Sequence, residues 1–258
     1  MSTLKRYQAE DFFVGRKLKI AKAIEEGDMP QVRKLAPGDD LSASGDKGMT
    51  LMWFAMLPGI KGHPNYEAVK TLVSLGVDPA TQIAEGIGSA LDYTFITRDD
   101  PNDRIGLRFL QAMLDGGMPV NNVNDSGTTL LHKAAGPGGT VEHVKLLLQR
   151  GADVNAHNSI GATALDEAVD TLKPDIALHL VRHGARVNTQ LTNGSSTAYA
   201  VLLRLERLQP GPVRIQFEQL RDLMISKGAK WPPDPPEVVR EQLRAKSQQP
   251  AAPPGPQR

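Results

Sequence analysis

The sequence predicts an all-α solenoid of about six helix-turn-helix units, because two short motifs recur at the spacing of one such unit. One motif is a glycine-led exit, G-A-D-V-N at residues 151–155, which returns 33 residues later as G-A-R-V-N at 184–188. The other is a tetrapeptide that begins with Thr, found at residues 129–132 and 163–166. A unit of this size cannot bury an apolar helix face by itself, so the pattern predicts a stack of units.

Related glycines extend the pattern in both directions along the chain. Gly76, Gly117, Gly151, Gly184 and Gly228 follow one another at intervals of 41, 34, 33 and 44 residues. The glycine is expected to supply the positive φ that ends the second helix of a unit, and the Thr or Ser of the tetrapeptide to cap the first helix. The two long intervals predict insertions between the two helices of a unit.

These motifs predict an N-terminal segment at 1–15, a repeat domain at 16–231, and a Pro-rich tail at 232–258 that contains a short helix at 237–246. The six units are predicted at 16–41, 46–80, 85–121, 125–155, 159–188 and 192–229. The first unit is partial, and its polar outer face is typical of an N-terminal cap. Insertions rich in Pro, Gly and Asp are predicted at 57–64, 97–103 and 208–212. The tail from residue 248 onwards is expected to be disordered.

Composition excludes several functional classes. The chain carries 30 basic and 29 acidic residues for a net charge of +1, which provides no electrostatic attraction for nucleic acid. The absence of cysteine excludes disulfides, thiolate metal ligands and a cysteine nucleophile. No apolar run reaches the roughly 18 residues that span a bilayer. As written, the chain is expected to be a soluble cytoplasmic monomer, and a removed signal or lipid anchor would place it in the periplasm.

Three clusters have the composition of chemical sites but lack their full patterns. Asp175, His179 and His183 recur every fourth residue on one predicted helix, a spacing that can hold a metal, yet the H-E-x-x-H pattern is absent. The glycine-rich stretch 136–139 lacks the G-K-[ST] of a phosphate-binding loop. The three aspartates within 99–103 lack the complete calcium-loop pattern. We therefore expect no metal, no cofactor and no catalytic site.

Residues 125–156 closely resemble an ankyrin repeat, with a turn, a first helix opened by a T-P-L-H-like tetrapeptide, a second amphipathic helix and a G-A-D-V-N exit. The resemblance covers about 16–229 and is strongest across 125–188. It implies a module that binds another protein and has no catalytic residues. The residues that it implies hold the fold are Thr129, His132, Gly151, Thr163 and Gly184. In ankyrin repeats, the side chain at the position of His132 bonds back to the tetrapeptide Thr and towards the neighbouring repeat.

In the ankyrin architecture, the turn tips and the first helices line a concave surface where side chains vary freely. The residues that motif position places on this surface are Asp46, Lys47, Met49, Trp53, Phe54, Asn124, Ser126, Lys133, His157, Asn158, Ser159, Glu167, Gln190, Asn193 and Tyr199. Trp53 replaces the tetrapeptide His and has two interpretations, an interface hot spot or a packing residue between units. The inserted inter-helix loops are a second candidate surface.

The insertions, the weak first unit and the Pro/Gln tail resemble bacterial ankyrin proteins, some of which are encoded beside secreted lipases or phospholipases. Such proteins act as immunity proteins or adaptors. The resemblance therefore implies a protein that binds and neutralises or escorts a partner such as a secreted toxin or lipase. Two alternatives remain. One is a host-directed effector or signalling scaffold, and the other is a metal-binding protein or cryptic enzyme.

Overall fold

The chain folds as two compact units, Met1–Asn122 and Val123–Arg258. The residues described by the computed structural model are 7–60, 65–82, 88–96 and 104–247. Residues 61–64 of the predicted insertion at 57–64, all of the insertion at 97–103 with its aspartates, and the predicted disordered tail lie outside the described residues.

Six α-helices make up the described part of the first unit, together with one isolated bridge. They are α1 (Gly15–Glu26), α2 (Met29–Leu35), α3 (Leu51–Ile60), α4 (Tyr66–Ser74), α5 (Ala90–Tyr93) and α6 (Ile105–Asp115). Helix α1 packs on α2 and α3, while α4 packs on α2, α3 and α6. Each of the helices α1 to α4 therefore contacts its partner in the same helix pair and a helix of the neighbouring pair, while α5 packs on α3.

The second unit contains seven α-helices in its described residues. They are α7 (Leu130–Ala135), α8 (Val141–Gln149), α9 (Ala164–Asp170), α10 (Pro174–Arg182), α11 (Thr197–Arg207), α12 (Pro212–Ser226) and α13 (Pro236–Ser247). The first helices α7, α9 and α11 contact one another in sequence, and so do the second helices α8, α10 and α12. The all-α fold class predicted from the sequence is confirmed. Among the described residues, no helix combines the length and the apolarity needed to cross a bilayer.

Three helices of the second unit, α7, α8 and α11, begin at side-chain caps, and two of the capping residues open a tetrapeptide. The side-chain oxygens of Thr129, Thr140 and Ser196 each accept a hydrogen bond from the backbone N–H three residues later, at 3.2 to 3.4 Å. These bonds satisfy N–H groups that have no partner inside the helix. The short first helices thus start at defined residues, although helices of six or seven residues are marginal on their own.

The second helices end where the recurring glycines stand. Gly151 follows α8 with φ of 84°, and the N–H of Ala152 donates to the carbonyl of Leu147 at 3.0 Å. Gly184 follows α10 with φ of 95°, and the N–H of Ala185 donates to the carbonyl of Leu180 at 3.0 Å. A non-glycine residue pays a steric cost in this left-handed conformation, which explains why the motif is led by glycine.

An aromatic cluster that the repeat pattern does not predict lies in the core of the first unit. Phe12 and Phe13 precede α1, and both are buried against Phe54 of α3. The rings of Phe13 and Phe54 meet edge to face with centroids 5.4 Å apart. The predicted N-terminal segment therefore contributes to this core. It also follows that the prediction of Phe54 as an exposed binding residue is wrong, because this ring is 4% exposed.

Replacement of Gly151 by Ala tests the role of the helix-ending glycine. No atom lies within 4 Å of the position that a Cβ would take, so backbone strain alone should destabilise the variant by about 1 kcal/mol. Gly211→Ala is the matched control, since Gly211 has extended backbone and equally open surroundings. We expect this control to stay within about 0.5 kcal/mol of the parent in urea denaturation. Equal losses in both variants would contradict the explanation.

Candidate protein-interaction surface

His132, the fourth residue of its tetrapeptide, is buried and connects two repeats. Its Nδ1 accepts the backbone N–H of Thr129 at 3.2 Å and lies 2.8 Å from the hydroxyl of the same residue. Because Nδ1 is an acceptor, the ring proton resides on Nε2, which donates to the carbonyl of Ala162 at 2.9 Å. Ala162 belongs to the next repeat. One imidazole thus fixes the start of α7 and the position of its neighbour.

Asp166 also fixes a helix start and connects two repeats, but it does so as a hydrogen-bond acceptor. Its Oδ2 accepts both the backbone N–H and the hydroxyl of Thr163, each at 2.8 Å. Its Oδ1 accepts the hydroxyl of Thr197, on the next first helix, at 2.6 Å. The side chain is buried, so all of these bonds form away from solvent. The fourth tetrapeptide position is therefore structural in both of the clearest repeats.

Trp53 stands at the equivalent position of the first unit and is half-buried. The backbone N–H of Trp53 donates to Thr50 Oγ1 at 3.2 Å, and its ring meets Tyr93 edge to face at 5.6 Å between centroids. In the part of the chain that the structure describes, its indole Nε1 is buried without a hydrogen-bond acceptor. These contacts favour the packing interpretation of Trp53 over the interface one, which stays a prediction.

The asparagines of the glycine-led exits also join neighbouring repeats, a role that the sequence analysis missed. Asn155 donates through Nδ2 to the carbonyl of Gly184 at 3.2 Å, and its Oδ1 accepts the backbone N–H of Arg186 at 2.8 Å. Asn188 donates through Nδ2 to the carbonyl of Gly228 at 3.2 Å. Recurrence of Asn at the fifth exit position was the signal that could have identified these residues.

Three predicted binding residues, Asn124, Asn158 and Asn193, hold the turn tips through their side-chain oxygens. Asn124 Oδ1 accepts the backbone N–H groups of the residues two and four positions later, at 3.1 and 2.9 Å. Asn158 Oδ1 repeats both bonds at 3.1 and 2.9 Å, and Asn193 Oδ1 makes the first of them at 2.9 Å. Their amide oxygens therefore serve the turn, which places these residues at the tips for a structural reason.

Consecutive tips are connected by main-chain hydrogen bonds. The N–H of Ser159 donates to the carbonyl of Ser126 at 2.9 Å, and the N–H of Thr192 donates to the carbonyl of Ile160 at 3.1 Å. Because these bonds use backbone atoms only, the tip side chains are aligned in a row without being consumed by stacking. Ile160 is 55% exposed in this row. The sequence analysis missed it, although an aliphatic residue in a turn is unusual.

Most of the other predicted surface residues are at least partly accessible. Those that the structure leaves exposed or half-exposed are Asp46, Lys47, Met49, Ser126, Lys133, His157, Ser159, Glu167, Gln190 and Tyr199. In the second unit, the members at the tips are Ser126, His157, Ser159 and Gln190, and the members on the first helices are Lys133, Glu167 and Tyr199. The second unit thus places polar side chains along both parts of the predicted surface.

The carboxyl group of Glu167, on the first helix α9, is partly buried. Burial raises the pKa of this carboxyl, the Asp170 carboxylate raises it further, and His132 opposes the shift. Lys173 lies nearby, in the turn between α9 and α10, and its ammonium donates to the carbonyls of Gly136, Pro137 and Gly139 at 2.5 to 2.8 Å. Burial lowers the pKa of Lys173.

The three carbonyl contacts of Lys173 also define what the glycine-rich stretch 136–139 does. A phosphate cradle presents backbone N–H groups to an anion, whereas here carbonyl oxygens surround a cation. A Cβ on Gly139 would lie 1.9 Å from the carbonyl of Ala134, so the glycine permits a close backbone approach. This stretch is a turn between helices.

The histidines of α10 stack on each other. The ring centroids of His179 and His183 are 4.0 Å apart, and Nδ1 of His183 lies 2.8 Å from the carbonyl of His179. Burial lowers the pKa of His179, and the neighbouring His183 lowers it further. Within the described ranges, no group of three His, Cys, Asp or Glu side chains is arranged to hold a metal ion.

Replacement of His132 by Ala tests the connection between repeats. The variant leaves the buried Thr129 N–H without a partner and removes one of the two donors to the Ala162 carbonyl, which keeps the N–H of Asn158 at 2.9 Å. We therefore expect a loss of about 1 to 3 kcal/mol in unfolding free energy. Lys145→Ala is the control, because Lys145 is exposed and only forms a surface ion pair with Glu142 at 3.8 Å. It should change stability by less than about 0.5 kcal/mol in the same urea titration. A comparable loss in the control would contradict the assigned role.

Replacement of Glu167 by Gln tests the raised pKa of this carboxyl. A group whose pKa is higher in the folded than in the unfolded state loses its contribution to stability as pH rises through the folded pKa. The variant removes this loss, so its stability relative to the parent should increase between pH 4 and pH 7. Urea denaturation of both proteins at the two pH values measures the difference. A difference independent of pH would show that burial does not penalise the carboxylate.

Comparison with known proteins places these contacts in a family. Residues 104–190 match the model for ankyrin repeats in three copies. The chain is 38% identical over 96 residues to the B-cell lymphoma 3 protein homolog of Mus musculus, which covers 35% of this chain and 21% of that protein. It is 32% identical over 149 residues to Protein PhlB of Serratia liquefaciens, which covers 57% of this chain and 60% of that protein. The chain thus spans between about a fifth and three fifths of these curated relatives.

Solved structures extend the likeness beyond the matched repeats. The ankyrin repeat domain of Bcl-3 superposes with a TM-score of 0.58 at 24% identity, covering 88% of this chain and 97% of that one. An ankyrin repeat domain from Acinetobacter baumannii AYE gives 0.55 at 22% identity, covering 82% and 98%. At these identities the likeness concerns the fold. Together with the bonded tetrapeptides and glycine-ended helices, it shows an ankyrin-repeat fold, within which residues 104–190 match the ankyrin-repeat family, a family that implies a protein-binding module and generally lacks catalytic function.

Proposed function

We propose that this chain is a bacterial ankyrin protein that binds one partner protein and neutralises or escorts it. The proposed partner is a secreted toxin or lipase. The observation that carries the binding role is that stacking and the turn tips of the second unit use different atoms. Buried side chains such as His132 and Asp166 hold the repeats together, while the tips are joined by backbone atoms and present their side chains outwards.

The row of tips provides the proposed contact surface. Ser126 and Ile160 occupy the same position in successive turns, and both are exposed. Ile160 supplies apolar area at a place where stacking does not need it, and the neighbouring tips supply hydroxyl and amide groups. Interfaces draw their affinity from a few apolar or aromatic anchors surrounded by polar contacts. The half-exposed Tyr199 on α11 belongs to the same proposed surface.

The comparisons support a bacterial binding protein of this kind. The likeness to Protein PhlB of Serratia liquefaciens extends over more than half of this chain, and a second bacterial ankyrin domain shares the fold. The role in neutralising or escorting a toxin or lipase comes from the resemblance of the insertions, the partial first unit and the Pro/Gln tail to bacterial immunity proteins and adaptors.

A regulatory scaffold is the second candidate. The chain is 36% identical over 78 residues to protein phosphatase 1 regulatory subunit 27 of Mus musculus, which covers 30% of this chain and 48% of that protein. The regulatory role belongs to that relative, and for this chain it is the second proposal. A scaffold or host-directed effector would bind several partners, or one from another organism, and secretion of the protein from its native cell would favour this candidate.

Affinity purification from the native cell tests the proposed function. The tagged chain should recover one partner in stoichiometric amount, identified by mass spectrometry. Ile160→Asp places a charge on the tip row and should weaken the complex by at least about tenfold, because the anchor is replaced by a carboxylate that must be desolvated.

Leu172→Asp is the matched control for this experiment. Leu172 is 44% exposed and follows α9, whereas Ile160 precedes it, so the same change is made at the other end of the helix. The control should bind as the parent does. Recovery of no protein partner would overturn the proposed function, and equal weakening by both variants would overturn the tip row as its contact surface.

A further inference from the structure

Helix α13 lies against the turn tip of the last repeat. Arg240 donates through Nη1 to the carbonyl of Asn193 at 3.0 Å. Gly194 is buried beneath the helix, and a Cβ there would lie 2.8 Å from both the carbonyl oxygen of Pro236 and the Cγ of Arg240. Val239 is 5% exposed on the same helix. The C-terminal helix is therefore docked on this tip.

The acceptor that Arg240 uses has a counterpart in the two preceding tips of the second unit. The carbonyls of Ser126 and Ile160 occupy the same turn position as that of Asn193, and each accepts a backbone N–H from the following repeat. At the last tip no further repeat supplies such a donor. The guanidinium of Arg240 occupies that place.

The register of the chain explains why a side chain is needed here. The two backbone donors, Ser159 and Thr192, each lie eight residues after a helix-ending glycine, Gly151 and Gly184. The residue eight positions after the next such glycine, Gly228, is Pro236. Proline has no N–H. The residue that stands where the backbone donor of a seventh repeat would be therefore cannot donate a hydrogen bond.

Packing against the tip glycines follows the same register. A Cβ on Gly127 would lie 3.3 Å from the backbone nitrogen of Ser159, and one on Gly161 would lie 3.7 Å from that of Thr192. At Gly194, the contact is with Pro236, the residue at the equivalent place in the register. The chain therefore passes through the place that the turn tip of a seventh repeat would take, and α13 begins there.

The other connection between repeats ends at the same point. Asn155 and Asn188 donate to the carbonyls of the next helix-ending glycines, Gly184 and Gly228. The residue at the corresponding exit position after Gly228 is Pro232, which has no side-chain amide. Neither of the two donors that would connect a seventh repeat is present.

We propose that α13 is a C-terminal cap that takes the place of a seventh repeat at the turn tips, with Arg240 as the residue that replaces the missing backbone donor. Docking decides whether this helix forms, because an isolated helix of 12 residues is marginal in water. The four prolines among residues 232–236 stiffen the connection, and Lys230 pairs with Asp234 across it at 2.5 Å.

The cap closes the exposed end of the tip row. It occupies the carbonyl of Asn193 and covers Gly194, while the side chains of Thr192 and Asn193 stay exposed. Terminal units of repeat arrays commonly shield the last interface from solvent. Here a single helix with a polar outer face does so at the tip. This proposal does not depend on which partner the protein binds.

Hydrogen exchange of the full-length chain tests the cap. Gly194→Ala introduces a Cβ into the contact with Pro236 and should accelerate exchange of the α13 amides by at least about tenfold. Gly161→Ala is the matched control, since Gly161 has a similar φ of 80° but no atom closer than 3.4 Å to the added Cβ. It should leave exchange in α13 unchanged.

Arg240→Ala provides a second variant that leaves the repeats untouched. Loss of its hydrogen bond to Asn193 should also accelerate exchange in α13, by about tenfold, while Glu241→Ala on the exposed side of the same helix should not. Unchanged exchange in α13 for both Gly194→Ala and Arg240→Ala would overturn the proposal. So would equal acceleration in each variant and its control.

Discussion

A buried side chain at the fourth tetrapeptide position bonds to its own helix start and to the next repeat, and the second unit depends on this double contact. His132 donates to a carbonyl of its neighbour, whereas Asp166 accepts a hydroxyl from Thr197. Asp166 therefore requires a hydroxyl at the position of Thr197, whereas His132 bonds to a main-chain carbonyl that any residue would supply. An unmatched pair would leave a buried polar group unsatisfied, at a cost of about 1 to 3 kcal/mol. Such nearest-neighbour matching gives each repeat a fixed place in the array.

In the first unit, Asp92 repeats the helix-start bonds of Asp166, with its Oδ2 accepting the N–H and the hydroxyl of Ser89, whereas Trp53 occupies the same position without such bonds from its side chain. The indole of Trp53 is too large for the role of an imidazole, and its Nε1 has no acceptor among the described residues. Contact with Tyr93 supplies apolar area in exchange for the absent bond. The first unit instead gains an aromatic core from Phe12, Phe13 and Phe54.

Periodicity determined how much of this could be predicted from the sequence. Helix pairs, caps and helix ends follow from motifs that recur, as Thr129 at the start of α7 and Gly151 after α8 illustrate. Phe12 and Phe54 belong to no repeating pattern, so their contact was not predictable in this way. Asn124 and Asn158 were correctly placed at the tips, but whether an amide oxygen faces a partner or its own turn depends on local geometry. Ile160 was missed because stacking places no requirement on its side chain.

The tip contacts show why the array can end where it does. Inside the array, backbone donors from each repeat align the next tip, and the side chains at these positions remain free to differ. At the last tip, the residue in register with the backbone donors is Pro236, which has no N–H. The guanidinium of Arg240, one helical turn later, donates to the carbonyl oxygen of Asn193 instead. The side-chain donor of Arg240 suffices to satisfy this carbonyl, because the last tip does not have to position a further repeat. Within the array it would not, since only a backbone donor ties the following turn to the same register.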